Sequence, residues 1–251
     1  MPQRAGEVRA VSGTLFGVGT GPGDPELLTL KAVRAIAGAD VVAYFAKRGN
    51  PSNARAIAAG HFRPGQIEEA LDYPVTTEID RRHGDYKSQI AAFYAEAAER
   101  IAAHLEAGRS VAVLSEGDPL FYGSYMHLHL RLAPRFPTEV IPGITAMSGC
   151  WSAAGLPLVQ GDDILTILPG TLAREDLTQR LCATDGAVIM KLGRNLPKVR
   201  AALADAGRLE GTVYVERGTT AGGFSMPLAD KTDDTAPYFS LLLVPGWSTR
   251  P

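Results

Sequence analysis

Cysteine is nearly absent from this 251-residue chain, with only Cys150 and Cys182. Neither has a CxxC partner or a histidine-rich neighbourhood, which argues against a disulfide scaffold and a zinc finger. Two buried free thiols are the plain expectation. A basic excess is also missing. The 25 Lys and Arg stand against 27 Asp and Glu, for a formal net charge of −2, so a surface that grips long nucleic acid by its phosphates is not expected. No run approaches the ~18 apolar residues of a spanning helix, and MPQRAGEVRAVSG lacks the apolar stretch of a secretory leader. The expectation is a cytoplasmic protein that engages neither membrane nor nucleic acid. HExxH, GxSxG and any Gly-Lys pair are missing, which removes zinc peptidases, α/β-hydrolases and P-loop NTPases from consideration. His127 and His129 sit two apart in a helical pattern and point to different sides, so they do not share a metal. No metal is expected.

What the chain has is glycine and proline, 27 and 17 residues, more than the average of about 12% together. They gather at the ends of apolar runs, where shaped loops are built. The first half alternates strand-like and helix-like segments. Strands are predicted at 14–18, 41–45 and 111–114, and helices at 25–37, up to Gly60, at 86–107 and from Phe121 to Pro134. Glu68-Glu69 and Arg81-Arg82 look like solvated loop charges. In the second half, strands are predicted at 139–141, 164–168, 187–191, 212–216 and 239–244, and helices at 144–154, 172–182 and 196–206. The last two strands have no helix between them, so that sheet is expected to be partly antiparallel. The reading is an α/β protein of two lobes, 1–136 and 137–251, divided at the proline-punctuated bend Pro134–Pro137.

Five strand ends carry glycine-bearing loops. Gly17-Val18-Gly19-Thr20-Gly21-Pro22-Gly23-Asp24 has the place of a nucleotide loop but fails the dinucleotide fingerprint, since Pro22 and Asp24 fall where glycine is required. It brings bare backbone close to something, or it is a tight turn with Asp24 capping the next helix. Glu116-Gly117-Asp118 follows a buried strand, at the sheet edge where open α/β folds bind ligands. There Asp118 can accept from a ligand or cap a helix. Pro142-Gly143-Ile144-Thr145, Met190-Lys191-Leu192-Gly193-Arg194 and Glu216-Arg217-Gly218-Thr219 complete the set. Each is weak alone; five together suit a cleft walled by backbone and small residues.

In this order, the stretches at 17–36 (GVGTGPGDPELLTLKAVRAI), 116–124 (EGDPLFYGS), 140–147 (VIPGITAM), 189–193 (IMKLG) and 215–220 (VERGTT) resemble the tetrapyrrole methylase family. The EGDP form, LDYPVTTEI at 71–79, PGTL at 169–172 and MKLGRN at 190–195 resemble the branch that methylates C20 of precorrin-2 in vitamin B12 synthesis. The resemblance implies two α/β lobes with a cofactor cleft between them, usually in a homodimer. It also implies S-adenosylmethionine as methyl donor and a tetrapyrrole, precorrin-2, as acceptor. Carried over by motif, the donor contacts would be Pro22, Glu116, Gly117, Asp118, Phe121, Thr145, Ala146 and one or more of Met190, Lys191 and Leu192. Gly218 and Thr219 would follow, with Arg217 beside them. Methyl transfer from a sulfonium needs alignment more than a metal or a covalent nucleophile. A base would help restore the macrocycle's conjugation, with Asp24, Glu116 and Tyr122 as candidates. The acceptor's acetate and propionate groups call for cations, for which Lys47, Arg48 and Arg194 are the candidates, and Arg81 and Arg82 after them. Three alternatives stay open: cobalt-precorrin-2 as acceptor, another corrin carbon or a non-tetrapyrrole acceptor, and a binding module that turns nothing over.

Overall fold

The computed structural model describes residues 12–74 and 84–246. The chain forms two compact units, Met1–Thr145 and Ala146–Pro251. The first holds β1 (Leu15–Gly19), α1 (Leu30–Gly38), β2 (Val41–Lys47), α2 (Asn53–Ala58), β3 (Ile67–Tyr73), α3 (Gly84–Glu106), β4 (Val111–Ser115), α4 (Tyr125–Leu132) and β5 (Thr138–Ile141). Its five strands run in the order β3-β2-β4-β1-β5, all parallel. Alternation along the strands divides the core between two faces. Leu15, Val41, Ala43, Val111 and Val113 pack with Ile101 and Leu105 of α3 and Tyr125 and Leu128 of α4. On the other face, Val18, Val42, Ala112 and Leu114 meet Ala32 and Ile36 of α1 and Ala54 and Ala58 of α2.

The second unit holds α5 (Ala146–Ala153), β6 (Leu165–Pro169), α6 (Arg174–Cys182), β7 (Gly186–Met190), α7 (Leu196–Asp205), β8 (Val213–Glu216), β9 (Phe224–Pro227) and β10 (Ser240–Val244). The sheet order is β6-β7-β10-β8-β9. β10 is antiparallel to both its neighbours, while β6 and β7 are parallel. This is the mixed sheet expected from the sequence. Leu177, Leu181, Leu196, Val199 and Leu203 of α6 and α7 cover one face. Cys150 of α5 and Leu158 cover the other, over Val188, Val215, Leu241 and Leu243.

Several expectations are corrected. The helix expected over 25–37 is two pieces: a 3-10 turn, Pro25–Leu27, and α1. Leu28 and Thr29 are extended, and the Thr29 hydroxyl accepts the Ala32 N–H at 3.1 Å, starting a second helix. Residues 138–141, expected to open the second lobe, instead pair with β1 at the edge of the first sheet. The units therefore divide after Thr145, not after residue 136. Glu68 and Glu69 lie on β3, not in a loop, where Glu68 pairs with Arg55 and Glu69 with Arg100. β9 was not foreseen. Cys150 is buried as expected, but Cys182, the last residue of α6, is exposed. Among the described residues no helix is long and apolar enough to cross a membrane.

Candidate functional site

β1 and β4 are neighbours, and the helices that follow them, α1 and α4, cover opposite faces of the sheet. Their carboxyl ends therefore open a crevice of the kind in which open α/β sheets bind ligands. The Thr20 N–H and hydroxyl both donate to the Ser115 carbonyl, at 2.8 and 3.1 Å. Gly117 N–H donates to the Gly21 carbonyl at 2.8 Å, in an isolated antiparallel bridge. Asp118 ties in the third loop: Oδ2 accepts the Gly143 N–H at 3.2 Å, and Oδ1 accepts the Leu120 N–H at 2.9 Å. A Cβ on Gly19 would stand 2.5 Å from Gly143 N and 2.6 Å from Gly117 O, and one on Gly143 would overlap Gly117 O. The protein itself needs this bare backbone, because it lets three strand ends meet at one point.

The side chains around that point divide by task. Asp24 caps the 3-10 turn, accepting the Glu26 N–H at 2.9 Å, which is the structural alternative its position allowed. Pro22 and Phe121 are half-buried, while Glu116 and Tyr122 are exposed. Glu116 is open to water yet crowded by surrounding protein. The crowding raises its carboxyl above the usual range, against a smaller opposing effect from its hydrogen bond with the Asn53 side chain. Tyr122 sits at φ 54° beside Phe121, with the rings edge-to-face at 4.8 Å. Two participants were not foreseen. Asn53 lies at the start of α2, far from Glu116 in sequence. The Ser115 hydroxyl is buried without a hydrogen-bond partner among the described residues. A single Asn or Ser outside a motif offers no signal by which to find it.

The second unit, taken by itself, has two strand ends among the loops singled out from sequence. Met190 closes β7. Lys191 follows at φ 59° and is exposed, Leu192 is buried, and Arg194 is exposed in the short turn before α7. The Asn195 side chain donates to the Lys191 carbonyl at 3.2 Å. Beyond Glu216 of β8, Arg217 sits exposed at φ 50°, and Gly218 and Thr219 are half-buried. Gly218 lies over Cys150, whose sulfur would be 2.8 Å from a Cβ there. Burial pushes the Cys150 thiol up to about 11, against a smaller opposing effect from its hydrogen bond with the Gly218 backbone. Tyr122, Lys191 and Arg217 are the non-glycine residues with positive φ among the described residues, and all three stand in the loops singled out from sequence. Thr145 ends the first unit and Ala146 begins α5. Lys47 ends β2 and, like Arg48, is exposed. Arg81, Arg82 and most of the 71–79 stretch lie outside the described residues. Among the described residues no group of acidic, His or Cys side chains could hold a metal.

The family model described as Tetrapyrrole (Corrin/Porphyrin) Methylases matches residues 14–225, most of both units. The chain belongs to this family. A precorrin-2 C(20)-methyltransferase from Sinorhizobium sp. is 67% identical to this methylase over 239 residues, spanning 95% of this chain and 98% of the relative. A cobalt-precorrin-2 C(20)-methyltransferase from Salmonella typhimurium is 26% identical, over 93% of this chain and 97% of that protein. Among solved structures, uroporphyrin-III C-methyltransferase from Thermus thermophilus in complex with S-adenosylhomocysteine aligns with a TM-score of 0.64 at 25% identity. That alignment covers 92% of this chain and 96% of the other. In this methylase the five loops that carry the family resemblance fall at the carboxyl ends of β1, β4, β5, β7 and β8.

Proposed function

We propose that this methylase transfers a methyl group from S-adenosylmethionine to C20 of metal-free precorrin-2. The observation that carries the reading is the 67% identity over nearly the whole chain with the Sinorhizobium precorrin-2 enzyme. The much lower identity with the cobalt-precorrin-2 enzyme favours the metal-free acceptor. The residues of the first unit suit the donor. The exposed Glu116 carboxylate can accept from hydroxyl or ammonium groups, and the buried Ser115 hydroxyl leaves a polar atom unpaired at the strand end. When bound, S-adenosylmethionine supplies a methyl group already activated by the sulfonium charge.

Pro22, Glu116, Gly117, Asp118 and Phe121 are the donor contacts proposed for the first unit, with Thr145 closing it. Asp118 acts by holding the Gly143 and Leu120 backbones in place. For the second unit, family resemblance assigns Ala146, Met190, Lys191, Leu192, Gly218 and Thr219 to the same donor. Precise placement is what an in-line displacement needs, and the locked backbone of these loops serves it. Glu116 is the preferred proton acceptor once the new carbon–carbon bond has formed. Its raised pKa brings it nearer to working pH, whereas Asp24 serves as a cap. Lys47, Arg48 and Arg194, all exposed, are proposed contacts for the acceptor's carboxylates. The same family likeness supports a homodimer, which sedimentation velocity checks, and the near-neutral charge and short apolar runs of the sequence are the support for a cytoplasmic protein that engages neither nucleic acid nor membrane.

The deciding experiment incubates the protein with S-adenosylmethionine and precorrin-2 made in situ, weighs the product, and locates the methyl by NMR. A gain of one methyl at C20 is expected. A methyl at another carbon, or turnover of cobalt-precorrin-2 alone, overturns this reading.

A further inference from the structure

Ser124 stands immediately before α4, where a serine ordinarily turns its hydroxyl to a backbone N–H of the first turn. Here the Ser124 backbone is already helical, at φ −66° and ψ −24°, and the hydroxyl makes no cap bond. It is engaged from the other side. The Tyr94 hydroxyl of α3 donates to Ser124 Oγ at 3.1 Å, and the Tyr73 hydroxyl at the end of β3 shares a second hydrogen bond with it. Two phenols from positions 30 and 51 residues away in the chain thus converge on one side-chain oxygen.

The Tyr94 phenol has little freedom. Its ring is buried, stacked on His127 at 3.9 Å, tilted against Phe93 at 5.2 Å, and edge-on to Phe45 at 6.2 Å and to Tyr73 at 6.4 Å. A phenol enclosed in this way needs a partner for its hydroxyl. The turn that Ser124 closes is also held at its other end. Asp118 Oδ1 accepts the Leu120 N–H and Oδ2 the Gly143 N–H. The Phe121 N–H donates to the Asp118 carbonyl at 3.3 Å, and the Met126 N–H to the Gly123 carbonyl at 3.3 Å. Between the two anchors Tyr122 keeps φ 54°, and a Cβ on Gly123 would stand 2.8 Å from the Pro119 carbonyl oxygen. A left-handed tyrosine persists only where the surrounding structure over-determines its backbone. Asp118 and Ser124 supply the two fixed ends of this turn.

We infer that Tyr94 and Tyr73, acting through the Ser124 hydroxyl, are positioning residues for Phe121 and so for donor binding. The inference rests on the proposed donor contact at Phe121. Asp118 fixes where the turn leaves the β4 end, and Ser124 fixes where it enters α4. Phe121 lies between them, three residues before Ser124, and is placed by both. The two phenols hold the turn; Phe121 makes the contact.

The test introduces Tyr94→Phe and Ser124→Ala singly and together with Phe121→Ala. Titration calorimetry reads the affinity for S-adenosylhomocysteine, and thermal melts read stability. Tyr94→Phe and Ser124→Ala should each lower the melting temperature by about 2–4 °C. Each should weaken binding about three- to tenfold, the worth of one hydrogen bond. Ser124→Thr, which keeps a hydroxyl, should recover most of the affinity. In the Phe121→Ala background the same changes should still lower the melting temperature, yet alter affinity by no more than about twofold, because the side chain they place is gone. A merely structural loss weakens binding equally in both backgrounds, and that result overturns the inference. Full donor affinity in both Tyr94→Phe and Ser124→Ala overturns it as well. If Phe121→Ala alone binds S-adenosylhomocysteine as the unaltered protein does, the Phe121 contact falls and the inference falls with it. An unaltered protein that binds no S-adenosylhomocysteine overturns the proposed function itself.

Discussion

Glu116 is subject to two opposing influences, crowding that disfavours its charge and a hydrogen bond with Asn53 that favours it, and the first is the larger. Its folded pKa is therefore raised above the ordinary 4.5, and the folded state binds the proton more tightly than the unfolded chain. By linkage, stability falls as pH rises from about the unfolded pKa through the folded one, and the penalty is complete above the folded value. Glu116→Gln removes the titration. In thermal melts across pH 4 to 8, the variant should gain on the unaltered protein as pH rises, and show no relative gain at the acid end. A gain that is flat across that range would mean the carboxyl is not strained by its surroundings. The glycines permit an equally local test. Gly143→Ala forces a methyl onto the Gly117 carbonyl and should cost about 1–3 kcal/mol as overpacking does, with weaker donor binding. Gly38→Ala, at the exposed end of α1 with open space around it, should instead add about 0.5–1 kcal/mol. Denaturant titration of both variants separates the close approach that needs glycine from the one that does not.

The elements most legible in the sequence are those whose apolar runs are buried on both sides. β4, VAVLS, is buried throughout, as is β10, SLLLV, and both were placed within a residue or two. β3 was missed because it is an edge strand reading IEEALDY, with charges where a central strand would be apolar. β9 was missed because it is four residues long and mostly exposed. The split between the 3-10 turn and α1 was hidden by a helix-like pattern, and the Thr29 cap is visible only once its hydroxyl is seen to meet the Ala32 N–H. At the candidate site, glycine and proline marked all five loops, but not what the loops do for one another. Asp118 as a tie to Gly143, and Cys150 beneath Gly218, depend on contacts between distant segments. The Cys150 arrangement has a consequence at the level of α5. Its thiol is buried and held near 11, while Cys182 ends α6 in the open. A thiol alkylates through its thiolate and needs access. Iodoacetamide at neutral pH should therefore label Cys182 first and Cys150 only on denaturation, as peptide mapping would show. Early labelling of Cys150 would mean that α5 does not cover the β8 end as described.

Across the whole molecule, the two-unit α/β organisation was readable from the change in strand pattern halfway along the chain. The boundary was not, because the Pro134–Pro137 bend looks like a linker and is followed by β5, whose partner, β1, lies at the other end of the first unit. The overall charge adds a further constraint. The chain carries a formal net charge of −2, and the proposed acceptor is a polycarboxylate, so any long-range steering by net charge would be repulsive. Capture must come from local cations, and the two effects respond to salt with opposite sign. At about 0.1 M ionic strength the screening length is roughly 10 Å, so adding salt removes a net repulsion and also weakens attraction to local cations. If the proposed cations Lys47, Arg48 and Arg194 dominate, raising salt from ~0.05 to ~0.3 M should raise KM for precorrin-2 several-fold, leave kcat nearly constant, and have a smaller effect in Arg194→Ala. If the whole-molecule field dominates, KM should fall over the same range and the variant should follow the unaltered protein. Steady-state kinetics at four or five salt concentrations, with S-adenosylmethionine saturating, distinguish the two by the sign of the slope alone.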